Sequence, residues 1–174
     1  TIKQIQKKSG YSYERAYTSL KNLLKKKVIS EKAIGRPFVY YPKYAHPYIK
    51  LAFHHYMAER LIDFSEKHST LYNALKSLDK ELLGIVILFG SYSKGTETQH
   101  SDIDVMVVSD YKEKKEREVY GLKYSLNKEL SPVFVKRSEF PKIKIENSVL
   151  WDDIKNYGII FQGSDLFYIE AYEN

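Results

Sequence analysis

Apolar residues recur along this chain in two rhythms, and the places where the rhythm changes divide it into segments. Ile2 and Ile5 mark a short helical face that stops at Gly10, a residue suited to a helix C-cap. Ser12 is a good N-cap for a second helix, whose apolar positions Ala16, Leu20, Leu23 and Leu24 recur at helical spacing. The runs VIS and FVYY are then β-rich, and the connection between them holds Gly35 and Pro37, as a hairpin requires. From His46 to about Leu83 the helical rhythm returns, through Leu51, Ala58, Leu61 and Ile62 and then Leu71, Leu75, Leu78 and Leu82. His68, Ser69 and Thr70 break this stretch into two helices, with Ser69 or Thr70 capping the second. Beyond it, Gly84 to Phe89 reads as a buried strand and Asp102 to Val108 as another. A charged helix over about Lys112 to Leu130, a third strand SPVFV, and a closing helix and strand in WDDIKNYGIIFQG complete the chain. The expected class is α+β.

Charge divides the same chain in two. Residues 1–50 hold ten Lys, two Arg and two acids (Glu14 and Glu31), a balance of +10, so the remainder sums to −4 against the overall +6. Such asymmetry points to a polyanion at the front end and different work at the rear. The helix, turn, helix and two-stranded hairpin there resemble the winged helix-turn-helix of small prokaryotic regulators, the GRPFVYY wing included. On its second helix Arg15, Thr18, Lys21, Asn22 and Lys25 share the face opposite the apolar stripe, and Arg36 lies in the wing. These residue types reach phosphates and base edges, so double-stranded DNA is the expected partner. A winged helix used only for dimerisation or protein contact is the competing reading, and a homodimer is compatible with both. The pattern also leads to the expectation of a further helix upstream of Thr1.

Composition narrows the rest. The 43% apolar and 14% aromatic content suits a packed core, and no apolar run reaches the length of a membrane span. Cysteine is absent, which removes disulfides, thiolate ligands and cysteine nucleophiles and accords with a cytoplasmic protein. His54, His55 and Glu59 lack HExxH spacing and a third ligand nearby, and read as helix surface.

The segment GIVILFGSYSKGTETQHSDIDVMVV carries the chemistry. Alternation along a strand puts Asp102 and Asp104 on one face and Ile103 on the other. Two neighbouring carboxylates suit Mg²⁺ (or Mn²⁺), a hard cation that leaves positions open for substrate phosphates. Gly90 lets backbone approach a phosphate, Ser91 offers a hydroxyl, and Lys94 offers a point charge one helical turn on. Gly-Ser followed by Asp-x-Asp between two strands is similar to the signature of the DNA polymerase β nucleotidyltransferase superfamily, most of all its minimal prokaryotic branch. An ordinary turn before an acid-headed strand is the bland alternative.

The resemblance implies a fold and a reaction. A small mixed sheet would carry transfer of a nucleoside monophosphate from ATP, or another nucleoside triphosphate, to an acceptor hydroxyl. Gly90, Ser91 and Lys94 would grip the triphosphate, while Asp102 and Asp104 would bind metal and serve catalysis. The expected layout is a winged helix over 1–45, a helical connection over 46–69 and a nucleotidyltransferase domain over 70–174. Active members carry a third carboxylate on the third strand, where this chain has Ser131. A serine hydroxyl is a poor magnesium ligand and no base near neutral pH. Glu129 has the same strand parity, and Asp152 and Asp153 read as helix-start acids. Two alternatives to a DNA-bound enzyme follow: a catalytically weak nucleotide-sensing regulator, and an antitoxin-type enzyme modifying a protein partner encoded nearby.

Overall fold

The structure, a computed structural model, describes residues 1–78 and 84–173. Leu82, the last apolar position expected in the connecting helices, lies outside the described residues. Contacts divide the chain inside its longest helix into two compact units, Thr1–Phe53 and His54–Asn174.

In the first unit, α1 (Ile2–Ser9) ends on Gly10 at φ +69°, the left-handed cap that glycine adopts without strain. The Ser12 hydroxyl accepts the Arg15 backbone N–H at 3.3 Å and so caps α2 (Tyr13–Lys25). Strands β1 (Ile29–Ala33) and β2 (Phe38–Pro42) pair antiparallel, from Ile29 with Pro42 to Ala33 with Phe38. Leu20, Val28 and Ile29 form the small core, closed by Ile2, Ile5, Leu23, Leu24, Tyr40 and Ile49. The expected helices and hairpin are therefore present, each formed by the residues that announced it.

Helix α3 (Pro47–Lys67) gives way to α4 (Ser69–Lys76) at His68, which is itself the N-cap and offers no side-chain capping bond. Neither Ser69 nor Thr70 takes that place. Next come β3 (Ile85–Phe89), α5 (Gly90–Lys94), β4 (Ile103–Val108), α6 (Lys112–Leu126) and β5 (Leu130–Val135). A 3₁₀ turn at Phe140–Lys142 leads into α7 (Ile143–Glu146), α8 (Ser148–Tyr157), β6 (Ile159–Gln162) and α9 (Ser164–Tyr168). The charged helix stops short of Leu130 because Asn127 adopts φ +49°, a left-handed cap that amide side chains tolerate.

The sheet order is β5-β4-β3-β6, with β4 and β5 parallel and the other neighbours antiparallel. All five residues of β3 are buried, as its unbroken apolar run requires of a central strand covered on both faces. Val86, Leu88, Ile103, Val105, Val107, Ile159 and Phe161 pack one face against Leu71, Leu75 and Leu78 and against Val119 of α6. The opposite face carries Ile85, Ile87, Met106 and Asp104 by strand alternation. Beside it Phe140, Trp151 and Phe167 meet at centroid distances of 5.8–6.2 Å.

Leu75 is fully buried, so Leu75→Ala removes methyl groups from a site that cannot collapse freely. The unfolding free energy of this unit is expected to drop by about 2–5 kcal/mol. Urea titration followed through Trp151, the one tryptophan in the chain and a buried one, measures it.

Candidate active site

The end of β3 and the start of β4 are held side by side by the pairing of Phe89 with Asp104. At the next residue the chain turns sharply, and Gly90 takes φ +71°. A Cβ there would run into the Asp104 carboxylate, with Oδ2 nearest and Cγ 2.8 Å away. Glycine is thus demanded twice, by its left-handed backbone and by the acid that fills its side-chain space. Asp104 is half-buried and Asp102, one residue before the strand, is exposed. The loop before them is folded on itself: the Thr98 N–H donates to Ser101 Oγ at 2.8 Å, and His68 Nε2 lies 3.1 Å from Glu97 Oε1.

Desolvation raises the Asp104 carboxyl above its ordinary value, and the negative charges of Asp102 and Asp153 raise it further, while Lys94 opposes them. Asp153 is the residue the sequence misplaced. It sits in the middle of α8, not at its start, because Asn147 is the cap and accepts the Leu150 N–H at 3.1 Å. One carboxylate oxygen of Asp153 accepts the Gly90 N–H at 3.3 Å, and the other lies 2.5 Å from Lys94 Nζ. Lys94 also stands over the Tyr157 ring, 5.5 Å from its centroid. A second unforeseen residue fixes this layout: the half-buried Arg60 donates to Ser93 O at 2.9 Å and to Gly158 O at 2.8 Å, tying α5 to the end of α8. An open cleft of about 570 Å³ runs beside these groups, lined by Lys94, Asp153, Asn156 and Tyr157.

The sequence-selected residues fall into two sets. Gly90, Ser91, Lys94, Asp102 and Asp104 lie together at one end of the sheet, and Ser131 pairs with Asp104 across the parallel β4–β5 ladder. Glu129 lies outside β5, mostly exposed and ion-paired to Lys123 at 2.8 Å. In the other unit Arg15, Thr18, Lys21, Asn22 and Lys25 are all exposed on α2, and Arg36 is exposed in the hairpin connection. Arg15 stands over the Tyr11 ring at 4.1 Å and Lys21 over Tyr17 at 5.4 Å. Helical spacing puts Asp153 beside the buried Trp151 and Ile154 but does not mark its partners, which lie 63 and 59 residues away. Nothing local marks Arg60, whose partners lie 33 and 98 residues away.

A left-handed glycine turn beside two neighbouring acids, at one end of the central strands of a mixed sheet, is the geometry this segment builds. The family model described as "Nucleotidyltransferase domain" matches residues 68–161, more than half of the chain. This chain belongs to that family and is a nucleotidyltransferase. It is 32% identical over 93 residues to "Putative protein adenylyltransferase MJ0141" of Methanocaldococcus jannaschii, covering 49% of this chain and 85% of that protein. A second relative in that organism, "Putative protein adenylyltransferase MJ0604", is 50% identical over 38 residues, covering 22% of this chain and 38% of its own length. Among solved structures, one described as a toxin-antitoxin with AMP-PNP overlaps 66% of this chain and 83% of its own at 20% identity and a TM-score of 0.37. Another, of a toxin-antitoxin MntA-HpeT mutant, overlaps 60% and 83% at 20% identity and a TM-score of 0.40, so both overlaps are loose. No helix among the described residues is long and apolar enough to cross a membrane.

The raised Asp104 carboxyl makes a signed prediction. Between the ordinary carboxylate value and the raised one, the folded chain binds the proton more tightly than the unfolded chain does. Stability therefore falls as pH rises through that window. Asp104→Asn cannot ionise, so its advantage over the native chain should be absent in acid and grow toward neutral pH. Metal-free urea midpoints for both proteins between pH 4 and 8 measure the difference.

Proposed function

We propose that this chain transfers AMP from ATP to a hydroxyl group on a protein, using Mg²⁺ or Mn²⁺, and that its first unit is a winged helix that binds double-stranded DNA. The juxtaposition of Gly90 with Asp104 carries the first part: backbone free of side chain stands beside a carboxylate that can hold a metal. Family membership supplies the reaction class. The name of the 32% identical relative supports AMP as the group and protein as the acceptor.

The donor set fits the cation. Asp102 and Asp104 are hard oxygen ligands, and the two acids that act on Asp104, Asp102 and Asp153, outnumber the one lysine that opposes them. Among the described residues no three His, Cys, Asp or Glu side chains form a ready metal cluster, so triphosphate oxygens and water would complete the shell. Asp102 and Asp104 would hold the ion, which supplies Lewis-acid neutralisation of charge building on the phosphoryl oxygens. Lys94 and the Gly90 N–H hold the β- and γ-phosphates. The acceptor oxygen bonds to the α-phosphorus as the bond to the bridging oxygen of the β-phosphate breaks. Pyrophosphate leaves, and the acceptor proton passes to water because Ser131 cannot take it.

Ser131 therefore sets the rate. Its backbone pairs with Asp104, so a carboxylate there would join the pair. Ser131→Asp should raise AMP transfer by about tenfold or more, well inside what a positioned base supplies, with nucleotide affinity little changed. Asp102→Asn with Asp104→Asn should abolish metal-dependent ATP binding while the fold survives. Incorporation of radiolabelled ATP alongside a binding titration separates the two. Unchanged affinity in the double variant would sink the metal assignment, and strong native transfer indifferent to residue 131 would place the third ligand elsewhere.

For the first unit, the exposed basic face of α2 supports duplex binding that weakens as salt rises, with a logarithmic slope of about 0.9 per phosphate contact. Replacing Lys21 and Lys25 by Gln should flatten that slope by about two contacts' worth. Fluorescence anisotropy with a labelled duplex at graded salt measures it. No binding at low salt would make the unit a protein-contact device.

A further inference from the structure

We infer that Asp153 is an internal stand-in for a phosphate, which holds the triphosphate grip closed on itself until nucleotide displaces it. This rests on the reading that Gly90 and Lys94 grip the triphosphate.

The two donors assigned to the phosphates are both occupied within the chain, and by the same side chain. Asp153 Oδ2 accepts the Gly90 N–H at 3.3 Å while Oδ1 meets Lys94 Nζ at 2.5 Å. A carboxylate and a terminal phosphate present similar anionic oxygens to such donors, and charge-assisted bonds of this kind are the strong ones. The Asp153 side chain is largely shielded, at 19% exposed, while Lys94 reaches solvent at 36%. The carboxylate is therefore held away from water at its Gly90 end, and the lysine end is the more screened of the two. The pairing is also imposed by the fold. Arg60 ties the backbone of Ser93, next to Lys94, to the backbone of Gly158, five residues after Asp153. Helices α5 and α8 are thereby held together, so the grip opens by rotation of the Asp153 side chain rather than by separation of helices.

The arrangement has a cost and a use. Asp153 adds a like charge beside Asp104, which disfavours ionisation of that acid. In return Lys94 is held over Tyr157 in position, and the grip rejects ligands too weakly charged to outcompete a tethered carboxylate. Asp153 thus acts as a specificity residue for the polyphosphate chain, touching the same donors as the substrate.

Calorimetric titration of the full chain tests this, with MgATP and separately with inorganic triphosphate in the absence of metal. Asp153→Asn keeps the shape and removes the competing charge, so both ligands should bind about tenfold tighter, the equivalent of one strong charged contact released. Asp153→Ser should move affinity in the same direction, which guards against misfolding of the Asn variant. Asp152→Asn removes the same formal charge one residue away on an exposed side chain, and should change affinity by less than about twofold. In a Lys94→Met background the gain from replacing Asp153 should shrink, because one of the two contested donors is gone. Unchanged or weaker binding in both Asp153 variants overturns the inference. If Lys94→Met weakens MgATP binding yet the Asp153 variants bind no tighter, the phosphate grip stands and only the stand-in falls. If Lys94→Met leaves MgATP binding unaltered, Lys94 grips no phosphate, and both fall together.

Discussion

At one end of the two central strands the Asp104 carboxylate occupies the volume that a side chain at residue 90 would need, and the rest of the site is arranged around that exclusion. The left-handed turn at Gly90 sends the chain from β3 directly into α5, so the helix that carries Ser91 and Lys94 starts beside the acid. The buried, five-residue β3 makes this placement stiff, since neither face can shift without opening the core. Backbone N–H, lysine and carboxylates are therefore held close by strand pairing and sterics before any ligand contributes. That is the condition for a site that stabilises developing charge without reorganising.

What could be read directly from the residues was whatever is encoded over short separations. Gly10, Ser12 and the apolar spacing of α2 announced the first unit's helices, because caps and amphipathic faces are local. Gly90-Ser91 and Asp102-x-Asp104 were legible for the same reason: a turn that needs glycine and a period of two that aligns carboxylates are both written in consecutive positions. Helix ends were less legible. The cap at His68 carries no side-chain bond, and Asn127 stops α6 through a backbone conformation that composition does not display. Least legible were Arg60 and Asp153, whose importance lies in partners 33 to 98 residues away. The pair Asp152-Asp153 looked like a helix start only because the true cap, Asn147, was overlooked.

Ser131 shows how register and chemistry separate. The parallel ladder brings it beside Asp104 whatever its side chain, because backbone pairing is indifferent to side-chain identity. The position is thus set by the ladder, while its side chain is a hydroxyl and not a carboxylate. Glu129 does not compensate, since it precedes the strand and is engaged with Lys123. Under the proposed reading, the chain would hold a nucleotide with Asp102 and Asp104 but lack a carboxylate beside them to take the acceptor proton.

Electrostatics then links nucleotide to metal. In the proposed reading a triphosphate would bring several further negative charges to Asp102, Asp104 and Asp153, with Lys94 as the opposing charge at Asp104. An anion arriving there without a cation meets repulsion from the two acids it must approach. A cation entering without the anion finds too few ligands to complete its shell. Each improves the other's affinity by the same factor, since coupling between two ligands at equilibrium is reciprocal. Asp153 adds a second exchange to the same cycle, because the grip gives up an internal anion as it gains an external one. The burial that raises the Asp104 carboxyl is the same burial that would strengthen its charged contacts to a cation and a triphosphate bound together.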